Sequence, residues 1–235
     1  MSLNSDNITD SDISVDISMI LDSSENGRTI FLAACSMLRL STKYIMPGIR
    51  ERSIEQIERI LPATLDGYDN LSQLAARGQA PILRCRDLAF AINVARETGA
   101  QWILPAAFYR ISSCPVDAIF DDNTYPYLVK EDLRAWASGR DALSDAMALG
   151  LLGMSISDRC TNAARDEVLL VRFKDHIRNR RMRKILRLIT GTGTCDACVA
   201  HFDAIGDACR KHAWENLPKW FGLPLWPDLL AARAG

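Results

Sequence analysis

The chain has 235 residues, of which 48% are hydrophobic and 24% are charged. These proportions are typical of an ordinary globular protein and exclude a disordered tail or a collagen-like fibre. Because 28 basic residues nearly balance 29 acidic ones, we expect no overall attraction to nucleic acid. No apolar run reaches the ~18 residues that a membrane-spanning helix needs, and the first residues lack the positive charge of a secretion signal. We therefore expect a cytoplasmic or nuclear protein.

The chain contains seven cysteines, an odd number that is spread over much of its length. In an intracellular protein this pattern argues against a framework of disulfides. We expect the thiols to be mostly reduced.

The first part of the chain is acidic. Residues 1–27 hold six Asp or Glu side chains and no Lys or Arg, which predicts a mobile leader. Ile13, Val15, Ile17 and Met19 alternate with polar residues, so a short strand is the alternative for that stretch.

The segments that follow have apolar residues at helical spacing. A first helix is predicted over 30–46 and a second over 49–61, with a turn at Pro47 and Gly48 between them. A polar connection is expected around 66–70.

The middle of the chain continues this pattern. The apolar stripe that begins at Leu83 predicts a helix that ends at Gly99, a suitable C-terminal cap. Proline is tolerated in the first turn of a helix, so Pro105 opens the next helix, which runs toward Cys114.

Two more helices are predicted over 129–136 and 141–154, parted by Ser138 and Gly139. A long helical stretch over 158–190 follows, and the loop GTGT ends it.

A final helix is predicted over 195–216 and is closed by Pro218. Beyond it the chain is rich in aromatic and proline residues. Nearly every periodic segment has a period near 3.6 residues, and there is no internal repeat. These features predict an all-α or nearly all-α fold: an irregular multi-helix bundle with a long basic helix hairpin and an aromatic, proline-rich C-terminal tail.

We divide the chain into three parts. Residues 1–27 form the acidic leader and residues 28–156 a helical domain. Residues 157–235 form the basic hairpin and the Trp-rich tail, which are expected to pack on the helical domain.

Three strings of this sequence resemble one family. They are MLRLSTKYIMPGIRERSIEQIERILPATLDGYD at 37–69, LAFAINVARETGAQWILPAAFYRIS at 88–112 and WENLPKWFGLPLWPDL at 214–229. In this order they resemble fungal BTB/POZ domain proteins of the basidiomycete type, from the junction that follows the BTB fold to the C-terminal end.

The resemblance implies a non-enzymatic interaction or adaptor protein. BTB domains of this kind associate with themselves and with other proteins, and some relatives recruit substrates to cullin-type ubiquitin ligases. The resemblance supplies no catalytic, cofactor-binding or metal-binding residue. Only 36 residues precede Met37, whereas a BTB fold needs about a hundred, so we expect its dimerising and cullin-contacting surfaces to be largely missing.

Large aromatic side chains are candidate anchors between helices. Trp102, Phe108 and Tyr109 lie beside a predicted helix start, and each can bury ~150–250 Å². The apolar residues of the tail are expected to fold back onto the bundle, and an exposed peptide-docking groove is the alternative. They are Trp214, Leu217, Trp220, Phe221, Leu223 and Trp226.

A zinc site is the most tempting chemical constellation, because Cys195, Cys198, His201, Cys209 and His212 supply soft ligands. If they share one helix, however, Cys198 and Cys209 stand ~16 Å apart along its axis, too far for one ion. Their spacing of three and four residues predicts instead one buried stripe.

Two variants of this idea remain. Cys160 can complete a site with Cys195 and Cys198 only if the long helix before them is kinked. A redox role for the CDAC motif lacks the strand that precedes thioredoxin-like motifs. We predict no metal, cofactor or catalytic group, and a structural zinc at Cys195 and Cys198 with Cys160 or His201 stays open.

The segment 172–187 is strongly basic, with eight Arg or Lys residues against the single Asp175. Such density is typical of phosphate binding or of nuclear import. Because the segment also carries an apolar stripe, a helix with one solvated basic face explains it more simply. The acidic leader is another candidate partner for this face, in cis or in trans.

Hydrolytic chemistry is not indicated, because all three histidines lie in the last 60 residues and no GxSxG motif is present. The carboxylate pairs Asp121 with Asp122 and Glu131 with Asp132 are predicted to be loop and helix-start residues.

The sequence therefore predicts a non-enzymatic protein–protein interaction module with an unidentified protein partner, and it leaves self-association open. A nucleic-acid-associated protein that uses 172–187 is the alternative. A thiol oxidoreductase that uses CDAC is the remote one.

Overall fold

The computed structural model of the protein describes residues 24–152 and 196–234. All regular secondary structure in these ranges is helical, so the all-α prediction is confirmed there. Among the same residues, no helix is both long and apolar enough to cross a membrane. The predictions for the leader strand, for the helix over 158–190 and for the GTGT loop lie outside the described residues.

The helices of the described residues are α1 (Ser24–Lys43), α2 (Pro47–Glu58), α3 (Leu65–Ala76), α4 (Cys85–Thr98), α5 (Leu104–Ile111), α6 (Val116–Ile119), α7 (Lys130–Leu152), α8 (Asp196–Trp220) and α9 (Trp226–Ala234). Short 3₁₀ turns at Gln101–Ile103 and Tyr125–Tyr127 lead into α5 and toward α7.

Helices α4 and α5 contribute many of the most deeply buried side chains, and α4 packs against both α1 and α5. The predicted apolar stripe of α4, from Leu88 to Ala95, is buried. The helix stops at Gly99, whose φ of +74° is the left-handed conformation that glycine adopts at little cost. Pro105 lies in the first turn of α5, as predicted. Both helix boundaries are therefore local properties of the sequence.

Helix α1 packs on α2 and α4 through the predicted stripe that includes Phe31 and Leu38, both of which are fully buried. It begins at Ser24, more than one turn before the predicted start. The Arg28 guanidinium donates two hydrogen bonds to the Asp87 carboxylate, at 2.6 and 2.7 Å. This paired contact with α4 ties the additional first turn to the rest of the fold.

Helix α3 occupies the place where a polar connection was expected, so that prediction is wrong. Thr64 is its N-cap and accepts a hydrogen bond from the backbone N–H of Gly67 at 3.2 Å. Leu71 is buried on its inner face. Asp66 and Gly67 are common in turns, which is why the sequence pattern did not indicate a helix here. The threonine cap and the packing stabilise the start of the helix.

Helix α7 is continuous, so the predicted break at Ser138 and Gly139 is wrong. Gly139 is buried beneath Phe221, and a Cβ built on it would overlap the phenyl ring. The glycine therefore allows α7 and α8 to approach closely and does not end a helix.

Helix α8 continues past Pro218, which lies inside its last turn, so the predicted end at residue 216 is too early. Proline has no N–H for the carbonyl four residues before it, here that of Trp214. The indole N–H of Trp226 donates to that carbonyl at 2.9 Å. Leu223 donates its N–H to the Pro218 carbonyl at 2.8 Å, and Gly222, with φ of +63°, ends the helix.

A disulfide joins Cys85 at the start of α4 to Cys114 just after α5, with 6.1 Å between the two Cα atoms. The expectation that the thiols are mostly reduced is therefore wrong for this pair. Helices α4 and α5 pack against each other and bring the two cysteines together, which a count of cysteines does not reveal. Cys35 and Cys209 are free thiols.

Candidate interaction surface

The aromatic residues proposed as anchors lie inside the bundle. Trp102 and Phe108 are almost fully buried, and Tyr109 is half-buried. Phe108 stacks on Phe221 of the tail, with ring centroids 5.2 Å apart. The Trp102 indole N–H donates to Glu58 Oε1 at 2.7 Å. The prediction that these side chains join helices is therefore confirmed.

The tail also folds back as predicted. Trp214, Leu217, Phe221 and Leu223 are buried, whereas Trp220 and Trp226 are half-buried. Because these rings fill the interior, the alternative in which they line an exposed peptide groove is wrong for the buried members of the set.

Helix α9 fastens the end of the chain to α2. Arg233 donates to Glu58 at 2.8 Å and to Glu51 at 2.6 Å, and its guanidinium lies 5.6 Å from the Trp102 ring centroid. These contacts hold the tail where it covers the Trp102 side chain.

The cysteine and histidine set is only partly described. Cys198 and Cys209 lie on one unbroken helix, α8, which is what their estimated separation of ~16 Å along the axis required. Cys195 and the side chains of Cys198 and His201 lie outside the described residues. Cys209 is half-buried and His212 is exposed, so the prediction of one buried stripe is wrong there. Both line a groove of about 560 Å³ between α7 and α8. Within the described ranges, no group of three His, Cys, Asp or Glu residues could hold a metal ion.

The predicted carboxylate pairs lie in a loop and at a helix start, as expected. Asp121 accepts a hydrogen bond from the backbone N–H of Asn123 at 2.6 Å, within the loop before α7. Asp132 lies in the first turn of α7, is almost fully buried and pairs with Arg96 of α4 at 2.9 Å. The ion pair between Asp132 and Arg96 was not predicted, because the partners lie on different helices.

Among the described residues, six exposed large apolar side chains lie at the end of α1 and the start of α2. On α1 the side chains of Met37, Leu40 and Tyr44 follow one another at helical spacing beside the buried stripe, with 47%, 53% and 58% of their surface exposed. The connection and the first turn of α2 continue this surface. We call it the α1–α2 surface, and its members are Met37, Leu40, Tyr44, Ile45, Met46 and Ile49.

Ile45 is the only non-glycine residue of the described part with a positive φ, at +54°. It follows the end of α1, where the N–H of Met46 donates to the Ser41 carbonyl at 2.8 Å, and this position favours glycine. A β-branched side chain is strained there. The Ile45 side chain is 86% exposed, so packing within the described fold does not account for it.

The charges around the α1–α2 surface are mainly positive. Lys43 lies over the Tyr44 ring at 5.4 Å, and Arg50 and Arg52 lie beside Ile49 in the sequence of α2. None of the three cations forms an ion pair with a carboxylate of the described residues. Glu51 is held by Arg233, so a neighbouring negative charge is already partly neutralised.

A second set of exposed apolar residues surrounds Phe120 and Tyr125, in the segment before α7. Their rings lie 6.1 Å apart, and Phe120 also contacts Trp136 at 6.3 Å. These aromatic rings are therefore already engaged with one another. The apolar side chains of the α1–α2 surface have no comparable ring–ring contact among the described residues.

Sequence analysis missed the α1–α2 surface, although one signal was present. Met37, Leu40 and Tyr44 form a second apolar stripe on α1, beside the buried one. A helix that is apolar on two faces is either buried all round or covered by a partner.

Comparisons of the chain with protein-family models, with curated proteins and with solved structures find no match. What the α1–α2 surface can do follows from its own residues. It offers apolar area next to positive charge.

Proposed function

We propose that this chain is a non-enzymatic protein–protein interaction module of the BTB-associated type. Its α1–α2 surface receives a partner segment that is apolar and flanked by acidic side chains. The three strings that resemble fungal BTB/POZ proteins support the class of function, and the exposed α1–α2 surface supports the place.

The observation that carries the proposal is the exposure of six large apolar side chains next to one another. A contiguous patch of exposed apolar side chains is typical of an interaction site. The strained backbone of Ile45 also supports an interaction site, because its side chain is mostly exposed and packing within the fold does not explain the strain. Backbone strain of this kind is typical of functional positions.

The charges decide which partner fits. A symmetric dimer through this surface would place the Lys43, Arg50 and Arg52 cations of two copies against each other, and like charges across an interface are unfavourable. An acidic partner segment instead pairs with these cations. A different protein is therefore a better occupant than a second copy.

A photo-crosslinking amino acid at position 44 tests the proposal in native cells. We expect it to capture protein segments that combine apolar residues with Asp or Glu, and the same group at position 82 to capture none of them. Ile82 is the matched control because it is 73% exposed and lies outside the α1–α2 surface. Capture of nucleic acid, of a second copy alone or of the same proteins from both positions would contradict the proposal.

A stability measurement separates binding from folding. Ile45→Gly removes the strain of a β-branched residue at positive φ, so the variant should be ~1 kcal/mol more stable than the wild type. It should also bind the captured partner several-fold more weakly, because the most exposed apolar side chain is lost. A variant that is more stable and binds equally well would show that Ile45 is not part of the interface.

A further inference from the structure

A cavity of about 170 Å³ lies between α3, α4, α5 and α7, away from the α1–α2 surface. Leu83, Leu88 and Leu143 supply apolar walls, and the Tyr109 side chain also lines it. Its charged group is Arg110 in the last turn of α5.

Arg110 has no carboxylate partner among the described residues. Its Nη1 donates to the Ile60 carbonyl at 3.0 Å, which uses one of the five guanidinium N–H groups. Burial lowers the pKa of Arg110, against a smaller opposing effect from Tyr68. The guanidinium is therefore in an environment that penalises its charge and supplies no negative group to compensate.

Three other arginines of the described residues do have a carboxylate partner. Arg28, Arg96 and Arg210 each form an ion pair with a carboxylate, at 2.6, 2.9 and 2.6 Å. A partly buried cation commonly has such a counter-charge, because it has lost part of its hydration. The missing counter-charge beside Arg110 coincides with a cavity that Arg110 itself lines.

We propose that this cavity binds a small carboxylate with a short aliphatic chain, whose carboxylate group pairs with Arg110. The guanidinium matches the planar geometry of a carboxylate and can donate two parallel hydrogen bonds to it. The leucine side chains contact the aliphatic part of the ligand. At ~30 Å³ for each water molecule displaced, the volume fits a ligand of a few heavy atoms and excludes a nucleotide.

The low local dielectric strengthens the attraction between Arg110 and the bound anion. The leucine walls favour an aliphatic carboxylate over inorganic phosphate, because phosphate has no apolar part to bury against them. This site is independent of the proposed interaction function, since the two places share no residue.

Titration of the full chain with butyrate, followed by amide chemical shifts in NMR spectra, tests the site. We expect saturable shifts for residues around Arg110. Butyramide, which has the same shape and no charge, should bind with at least tenfold lower affinity. Inorganic phosphate should bind more weakly than butyrate. Equal binding of butyramide, tighter binding of phosphate or no saturable binding of butyrate would overturn the proposal.

Variants assign the binding to the cavity. Arg110→Gln should weaken butyrate binding at least tenfold, whereas Arg59→Gln, at an exposed position, should leave it unchanged. Because Arg110 also holds the Ile60 carbonyl, Leu83→Trp provides a second variant that fills the cavity and keeps the arginine. Unchanged butyrate binding in Leu83→Trp or in folded Arg110→Gln would place the ligand elsewhere and contradict the proposal.

Discussion

The phenyl ring of Phe221 packs directly on the main chain of Gly139 in the middle of α7. A Cβ at position 139 would lie 2.8 Å from Phe221 Cζ and even closer to two other ring atoms. This contact explains why a glycine is present inside an unbroken helix, where alanine would be ~1 kcal/mol more favourable.

Gly139→Ala should therefore destabilise the protein by about 1–3 kcal/mol, because overpacking outweighs the gain in helix propensity. Chemical denaturation measures the change. Gly48→Ala is the matched control, since no atom lies within 4 Å of a Cβ built there, and it should be neutral or slightly stabilising. Adding Phe221→Leu to Gly139→Ala should relieve the overlap, and a full, additive loss in the double variant would disprove it.

Asp87→Asn should cost about 3 kcal/mol at neutral pH, because it breaks the ion pair between the buried Asp87 carboxylate and Arg28. Asp87 also accepts a hydrogen bond from the backbone N–H of Arg84 at 2.8 Å. Urea denaturation of the variant measures the loss. Asp117→Asn, at an exposed position, is the control and should have no effect.

The stability should also depend on pH through Asp87. Burial raises its pKa, but the hydrogen bonds from Arg28 and Arg84 and the nearby positive charges outweigh burial and lower the pKa below its ordinary value of 3.8. A lowered folded-state pKa contributes stability above the unfolded-state pKa, and this contribution is lost as the pH falls through the folded-state pKa. The free energy of unfolding should therefore fall below about pH 4. Asp87→Asn should show a shallower fall, and equal slopes would contradict this assignment.

Trp226→Phe should destabilise the protein by ~1–2 kcal/mol, because the Trp214 carbonyl loses the indole N–H that replaces the missing N–H of Pro218. Pro218→Ala restores a backbone N–H at that position. In a double-mutant cycle measured by thermal unfolding, Pro218→Ala should recover part of the loss caused by Trp226→Phe. Strictly additive effects would show that the two groups do not share the carbonyl.

Replacing Cys85 and Cys114 by alanine should destabilise the protein by about 3.5 kcal/mol, as expected for closing a loop of this length. A thiol reductant should lower the melting temperature of the wild type and leave that of the double variant unchanged. An equal response of the wild type and the double variant to reductant would exclude the disulfide in solution.

Burial raises the pKa of the Cys35 thiol to about 12, so alkylation of the native protein should spare Cys35.

Local patterns predicted several parts of this fold. The stripes on α1, α2 and α4 recur once per helical turn, and they form because burying one apolar face is favourable whatever the neighbour is. Gly99 and Pro105 end and begin helices through their own backbone preferences. The aromatic side chains Trp102 and Phe108 were predicted to be anchors because large rings bury most area.

Tertiary structure decided the features in which distant residues meet. Gly139 and Pro218 favour helix breaks by ~1–3 kcal/mol, but packing on Phe221 and the hydrogen bond from Trp226 supply interactions that local propensities do not contain. The pairing of Cys85 with Cys114 likewise depends on how α4 packs on α5.

The candidate sites followed the same division. The sequence by itself determined that α1 is apolar on two faces and that α5 has an arginine in its last turn. Only the tertiary structure decided that one face of α1 is covered while Met37, Leu40 and Tyr44 are exposed, and that Arg110 lines a cavity without a carboxylate beside it. The physical reason is that burial and charge compensation depend on neighbours from other helices, whereas periodicity and capping depend on residues a few positions away.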